Sequence, residues 1–283
     1  MNLLRIRSIY YPLTVPHPGR LRRWTRRIDY GAADVVREGE VAATRYSIPA
    51  PSPKTCGKRI AFVSDFHYRG TPGDRRRAAI VVERVREWNP EVLCFGGDLV
   101  ADACDLGALP ELLAPFRGIA PLSLAISGNW ERGKVWLPLE YWTGLYDRFG
   151  IRFLCNSGIS HGGFYYYGSD ELAQGAPCLP DPWPAPMPVI LLAHRPDTVI
   201  ALDSFDSLRP VELALCGHTH GGQVRLPLIG PVYASSRYGC RLDYGLFERN
   251  GGTPRMIVSS GVGSCSLRLR FRCRREVVLI EFV

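Results

Sequence analysis

Five short apolar runs, each broken at its C-terminal end by a small cluster of Gly, Asp, Asn or His, constrain this chain most. Ile60-Ala61-Phe62-Val63 leads into Ser64-Asp65-Phe66-His67, and Val92–Phe95 into Gly96-Gly97-Asp98. Leu122–Ile126 leads into Gly128-Asn129-Trp130-Glu131, Val189–Ala193 into His194, and Leu213–Cys216 into Gly217-His218-Thr219-His220. Apolar runs this short, bounded by turn residues, read as buried strands. In open α/β sheets ligands bind just beyond the carboxyl ends of the strands. Five strands of one domain would thus deliver Asp65, His67, Asp98, Asn129, His194, His218 and His220 to a common rim.

The pattern between the runs supplies the fold class. Asp74–Trp88 reads as a helix closed by Asn89-Pro90, so the first half alternates strand and helix and points to a largely parallel sheet. The second half holds strand-like runs at Phe164–Tyr167, Val189–Leu192, Leu213–Cys216, Met256–Val258 and Val277–Phe282 with few helical stretches. A second sheet packed on the first follows. The proline-rich stretch 171–188 reads as a long surface loop near the rim.

This residue set has a clear chemical use. Two divalent cations ~3.5–4 Å apart repel one another, so a carboxylate shared between them is valuable. Neutral imidazoles complete each sphere and favour zinc-, iron- or manganese-type ions over an all-oxygen magnesium site. Alternation along an extended segment would put Asp65 and His67 on one side, and likewise His218 and His220. Glycines before Asp98, Asn129 and His218 would permit tight inward turns. Any one cluster has a bland reading: a buried core histidine, a capping aspartate, an ordinary Gly-Asn turn. Five in this order do not.

Asp65-x-His67, Gly97-Asp98, Gly128-Asn129, His194 and Gly217-His218-x-His220 resemble the ordered motifs of the calcineurin-like metallophosphoesterase superfamily, over about Arg59 to Val283. Leu192–Asp197, Gly217–Val224, Gly150–Asn156 and Ser260–Gly263 resemble a bacterial, membrane-associated branch that includes UDP-2,3-diacylglucosamine pyrophosphatases. The resemblance implies a four-layer α/β/β/α sandwich with two mixed sheets and a dinuclear metal site at the strand C-terminal ends. It implies one ion held by Asp65, His67, Asp98 and His220. The other would be held by Asp98, Asn129, His194 and His218, with Asp98 bridging. Manganese is the first expectation, with iron, zinc or cobalt as alternatives. The implied reaction is hydrolysis of a phosphodiester or pyrophosphate by water activated between the ions, with Asp98, Asn129 and His218 central to it. Two rivals remain open: a non-catalytic metal-binding interaction module, and a nuclease or cyclic-nucleotide phosphodiesterase.

One position departs from the family pattern. Where a histidine usually follows Gly-Asn and protonates the leaving oxygen, this chain has Trp130, and indole has no proton to give at neutral pH. Three explanations compete: a leaving group that needs no acid, a substitute donor such as His161 or Arg132, or decayed catalysis. Trp130, Arg132, Arg195 and Gln223 are candidate substrate contacts. The alternating arginines of Leu267–Arg275 read first as the solvated face of a half-buried strand, with contact to a substrate phosphate or a membrane as the other readings.

Charge separates the chain into two parts. Residues 1–58 carry eleven Lys and Arg against four acids, whereas residues 59–283 carry 24 against 23. Residues 1–58 are therefore expected to be a basic extension and 59–283 the phosphoesterase domain. Pro18–Arg37 reads as a helix with Leu21, Trp24, Ile28 and Val35 on one side and arginines around the rest. Such a helix suits an anionic membrane surface, or docking on its own domain, and a solvated tail is the third reading. The near-neutral remainder argues against nucleic acid as partner and leaves a phosphorylated small molecule or lipid as substrate. Nine scattered cysteines without a CxxC pair behave as small hydrophobes in a reducing compartment. Met1–Val15 is broken by Arg5 and Arg7 and lacks a signal-peptide core. No segment approaches the ~20 apolar residues of a membrane span. The expectation is a cytoplasmic protein, peripheral at the inner face of the membrane.

Overall fold

The structure, a computed structural model, describes residues 18–28, 32–33, 40–135, 137–184, 186–203, 207–265 and 269–283. Two seven-stranded mixed sheets lie face to face. The first contains β2 (Ala32–Ala33), β3 (Val41–Ile48), β16 (Arg275–Phe282), β4 (Arg59–Val63), β5 (Val92–Phe95), β6 (Leu122–Ala125) and β7 (Arg152–Phe153), in that spatial order. The second contains β1 (Trp24–Ile28), β14 (Gly245–Arg249), β15 (Gly252–Val258), β11 (Val211–Cys216), β10 (Val189–Leu192), β9 (Phe164–Gly168) and β8 (Ser157–His161). A small hairpin, β12 (Arg225–Leu226) and β13 (Gly230–Pro231), stands apart from both.

Side-chain parity explains the layers. Along β4, Ile60 and Phe62 enter the core between the sheets with Cys94, Leu124, Ile190, Leu213, Leu215 and Ile280. Ala61 and Val63 face the other way, against the helices. These are α2 (Pro72–Trp88), α3 (Leu109–Leu113) and α4 (Leu139–Asp147), which contribute Val81, Val85, Leu112, Trp142 and Tyr146 to that outer core. The second sheet's outer face is covered by α5 (Pro196–Leu202), with Val199 and Ile200, and by Leu21 and Trp24 of the N-terminal segment. The result is the expected α/β/β/α sandwich. Strands buried on both faces are continuous apolar runs, which is why they were legible. Helix α2 begins where Thr71 and Asp74 form a capping box, and ends at Asn89, whose φ is 49°.

The N-terminal expectation needs correcting. Pro18–Leu21 is a single helical turn (α1) and Trp24–Ile28 is an edge strand antiparallel to β14. Val35 and the rest of the expected helix beyond residue 33, like Met1–Val15, lie outside the described residues. Three of the five arginines engage the domain closely: Arg20 donates to the Ala201 carbonyl at 2.7 Å, Arg26 pairs with Asp243, and Arg27 lies 2.7 Å from Glu248, while Arg22 and Arg23 are exposed. The Trp24 indole donates to the buried Asp203 carboxylate at 3.1 Å. Partners on α5, on the turn before β14 and on β14 itself, spread through residues 201–248, override the short apolar stripe. Nor does the sandwich begin at residue 59. Strand β3 pairs in parallel with β16 over all eight residues, with Val41, Ala42 and Ala43 fully buried. Strand β16 also belongs to the first sheet rather than the second, inserted between β3 and β4.

Removing residues 1–48 is therefore expected to destroy cooperative folding, because it strips β3 from the interior of a sheet. Thermal unfolding followed by circular dichroism checks this. A native-like transition in the shortened chain would restore the separate-extension reading.

Candidate metal centre

The five strand ends converge where the two sheets meet. Strands β4, β5 and β6 deliver Asp65, His67, Asp98 and Asn129 from the first sheet, and β10 and β11 deliver His194, His218 and His220 from the second. Two clusters result, Asp65-His67-His220 and Asp98-His194-His218, each with its ligand atoms within 4.8 Å of one another and all six residues buried. His67 Nε2 lies 3.0 Å from His220 Nε2, and His218 Nδ1 lies 3.2 Å from His194 Nε2. Asp98 Oδ2 stands between the clusters, 3.7 Å from His67 Nε2 and 3.3 Å from His194 Nε2. Asn129 Oδ1 joins the second cluster at 3.1 Å from His194 Nε2.

These separations fit a cation pair. Metal–nitrogen bonds of about 2.0–2.1 Å put neighbouring ligand atoms about 3 Å apart, which is the spacing of both imidazole pairs. His194 Nδ1 is 2.8 Å from the Gly96 carbonyl; that bond holds a proton on Nδ1 and turns Nε2 toward the cluster, where a metal would displace any second proton. The mixed nitrogen and carboxylate set suits manganese-, iron- or zinc-type ions.

Protonation follows from burial and neighbours. Burial holds His67 down at about 4, with only partial relief from Asp98. Burial, with Arg195 and His194 nearby, keeps His218 well below the usual histidine range. His220 is kept low by burial, His67 and Arg270. Neutral imidazole is the ligating form. Burial also opposes charge on His194, but Asp98 outweighs it and lifts this histidine to about 10. Burial alone would raise Asp98, yet His194 and its hydrogen bond hold it well below the carboxylate range. Burial pushes Asp65 up to about 6. Both carboxylates are therefore ionised at neutral pH, and Asp98, the group between the two positions, holds its charge down to lower pH than Asp65.

The backbone at the site is unlike the extended segments expected from sequence. Asp65, His67, Asp98, His218 and His220 all have positive φ, between 42° and 72°. Each such non-glycine residue costs on the order of 1–3 kcal/mol and persists only where its surroundings over-determine it. The turns swing side chains across the sheet ends, so His218 and His220 fall into different clusters instead of sharing a side. The glycine expectation also changes in part. Gly97 does have positive φ (91°), but Gly128 and Gly217 are needed for space. A Cβ at Gly128 would lie 2.1 Å from Asp98 Oδ1, and one at Gly217 would lie 2.2 Å from Asp65 Oδ2.

Several supporting residues escaped sequence reasoning. Glu131 is fully buried and accepts from the backbone N–H groups of Asp98 (2.8 Å), Leu99 (2.6 Å) and Gly128 (2.7 Å). It ties the β5 and β6 turns together, and burial and Asp98 raise it to about 7. Ser64 donates to Asp65 Oδ2 at 2.5 Å, and the His218 N–H donates to Asp65 Oδ1 at 3.0 Å. Arg270 is not on a solvated strand face: its guanidinium donates to the carbonyls of Ser260 (2.6 Å) and Gly263 (2.7 Å), with Nη2 3.3 Å from His220 Nδ1. Within the expected Leu267–Arg275 strand, Leu267 and Arg268 lie outside the described residues, and 269–274 hold only one isolated bridge, Val224 to Phe271. Asp170 and Glu171 follow β9 and hold Arg132 (3.0 Å) and Arg195 respectively. Only Glu131 left a sequence signal, its place two residues after Asn129.

The candidate substrate contacts separate. Trp130 stands edge-on to His67 with ring centroids 4.8 Å apart, and its backbone N–H donates to Asp98 Oδ1 at 2.9 Å. Gln223 is engaged with Cys265, accepting its N–H at 3.1 Å. His161 is excluded as a proton donor: it ends β8 at the opposite end of the sheet, beside Gly162, whose surroundings include Glu91 at the entry to β5. Glu131→Gln removes one of the paired acceptors beside Asp98. It is expected to weaken metal affinity about 10–100-fold and to lower the melting temperature of the metal-stripped chain, because an amide N–H then faces a backbone N–H donor. Manganese titration calorimetry reads this, and unchanged affinity would relegate Glu131 to packing.

Comparison with known proteins agrees with this architecture. Residues 58–222 match the family described as Calcineurin-like phosphoesterase. Over 237 residues the chain is 34% identical to Phosphodiesterase YaeI of Escherichia coli (strain K12), covering 80% of this chain and 82% of that protein. A 90-residue stretch is 37% identical to the uncharacterized metallophosphoesterase YkuE of Bacillus subtilis (strain 168), 32% of this chain and 29% of that one. An uncharacterized metallophosphoesterase of Helicobacter pylori (strain J99 / ATCC 700824) is 26% identical over 232 residues, 80% of this chain and 60% of that protein. The chain belongs to the calcineurin-like phosphoesterase family, whose members depend on a dinuclear metal centre.

Proposed function

We propose that this metal-dependent phosphoesterase cleaves phosphodiesters and pyrophosphates whose leaving group departs without a proton. The observation that carries the reading is Trp130, edge-on to His67 where the family has its general acid. Of the explanations for that tryptophan, a substitute donor loses support. His161 is remote, and Arg132 is held by Asp170 through contacts of 3.0 and 3.1 Å. Decay loses support too, since all seven expected ligand positions converge. A nucleotide phosphate leaving from a pyrophosphate, or an activated diester alcohol, needs no such help. The YaeI protein carries the name phosphodiesterase, which fits. A lipid-linked or nucleotide-sugar pyrophosphate such as UDP-2,3-diacylglucosamine is the substrate class proposed, at the inner face of a membrane.

A pair of divalent cations, manganese first among those proposed, would supply Lewis-acid charge for the phosphoryl oxygens and a water competent to attack at neutral pH. The proposed ligands are Asp65, His67, Asp98 and His220 on one side, and Asp98, Asn129, His194 and His218 on the other. Asp98 would screen the two positions from one another. Asn129 presents an amide beside His194, where it can orient a non-bridging oxygen as charge develops. Arg195, paired with Glu171 yet close enough to depress His218, brings positive charge to an anionic substrate. No protein group would protonate the leaving oxygen at the Trp130 position. The Lys134 ammonium, 4.3 Å from the Trp130 ring centroid, adds charge beside it.

With manganese-loaded enzyme, bis(p-nitrophenyl) phosphate and pyrophosphate diesters are expected to turn over far faster than alkyl phosphomonoesters, and Asp98→Ala should abolish all of it. Equal turnover of both classes, corrected for leaving-group pKa, would sink the proposal. Preference for single-stranded nucleic acid or cyclic nucleotides would select the rival substrate class. Trp130→His should raise rates on poor leaving groups by up to ~10²-fold, within the usual range of general-acid help, while activated substrates change little. A uniform effect on both would show that Trp130 does something else.

A further inference from the structure

Among the described residues, all the exposed large apolar side chains except Val283 lie on segments that adjoin the His220 turn of the candidate metal centre. Leu228 and Ile229 at the tip of the β12–β13 hairpin are fully and three-quarters exposed, at 108% and 74%, and Leu226, Val232, Tyr233, Leu269 and Phe271 are exposed too. They form one three-segment ribbon. The Val232 N–H donates to the Val224 carbonyl at 3.0 Å, while Phe271 runs along the other side, its N–H on the Gln223 carbonyl at 2.8 Å and its carbonyl accepting from Arg225 at 3.0 Å. Contiguous exposed apolar residues of this size mark an interaction surface.

Charge identifies what covers it. Residues 220–242 and 259–275, which carry the ribbon, contain no Asp or Glu. Arg237, Arg241 and Arg272 are exposed on these same segments. A second copy meeting this face about a two-fold axis would set arginine against arginine. An apolar edge rimmed by one sign of charge instead complements an anionic bilayer, with leucine and isoleucine at the headgroup–acyl boundary and guanidinium groups at the phosphates. The ribbon is also continuous with the centre: it emerges from the turn carrying His220, and Gly222 of that turn packs against Pro231 so closely that a Cβ there would lie 2.5 Å from the proline Cβ.

We propose that the β12–β13 hairpin and the adjoining 269–272 segment form a membrane-docking edge that holds the metal centre at the surface of an anionic lipid bilayer. The membrane contact thereby falls on this edge and not on the described part of the N-terminal segment, whose arginines Arg20, Arg26 and Arg27 engage the domain. Docking does not depend on which substrate is cleaved, so it stands or falls separately from the proposed reaction.

The test is co-sedimentation of the full chain with vesicles of phosphatidylcholine alone and of phosphatidylcholine mixed with phosphatidylglycerol, at low and high salt. The wild-type chain should bind the anionic vesicles, more weakly as salt rises. Leu228→Glu with Ile229→Glu should weaken that binding about tenfold or more, with hydrolysis of soluble bis(p-nitrophenyl) phosphate retained. Leu228→Ser with Ile229→Ser serves if the glutamates prevent folding. Arg237→Gln, Arg241→Gln and Arg272→Gln together should remove the salt dependence. Absence of wild-type binding, or equal binding by the hairpin variants, would overturn the proposal. So would a vesicle-free dimer, seen by light scattering, that the hairpin variants lose.

Discussion

The structure depends on gathering two carboxylates and four imidazoles into the dry seam between its sheets. Asp65, His67, Asp98, His194, His218 and His220 are each at most 4% exposed. Charge buried to that degree is tolerated only when it is paired and hydrogen-bonded. The chain meets this with backbone donors, with the Glu131 carboxylate holding the turns that present Asp98, and with cross-sheet bonds such as His194 to the Gly96 carbonyl at 2.8 Å. These bonds also weld one sheet to the other, so the site and the sandwich stabilise each other.

That demand explains the local strain. Five of the candidate ligands hold left-handed backbone, which is uncommon outside glycine. Val262 and Gly263, just after β15, donate to the carbonyls of Ser64 and Asp65 at 3.0 and 2.6 Å and fix the first of those turns. Arg270 anchors the same C-terminal stretch through the carbonyls of Ser260 and Gly263. The residues after 220 therefore do more than complete the sheets: they lock the geometry that the first 220 residues present.

Legibility from sequence followed the range of the interactions. Strands buried on both faces wrote themselves as apolar runs, and the residues after each run marked the rim. The sorting of His218 and His220 into different clusters came from resemblance and not from spacing, because left-handed turns erase simple alternation. Arg20, Arg26 and Arg27 looked like a free basic face since their partners, among them Asp243 and Glu248, lie more than 180 residues away. Arg270 was misread for the same reason: a period-two pattern suggests a half-solvated strand, whereas carbonyls from the 260–263 turn bury it. The exposed hairpin left only a short apolar run broken by proline and glycine, which sequence alone does not separate from core.

The central claim is that this seam holds two cations, with Asp98 between them. The most direct test is a crystal structure of manganese-loaded protein with anomalous scattering recorded at the manganese edge, beside elemental analysis of the same sample. The account predicts two ions per chain about 3.5–4 Å apart, with Asp98 touching both. A single ion, or a second one bound away from either triad, would contradict it.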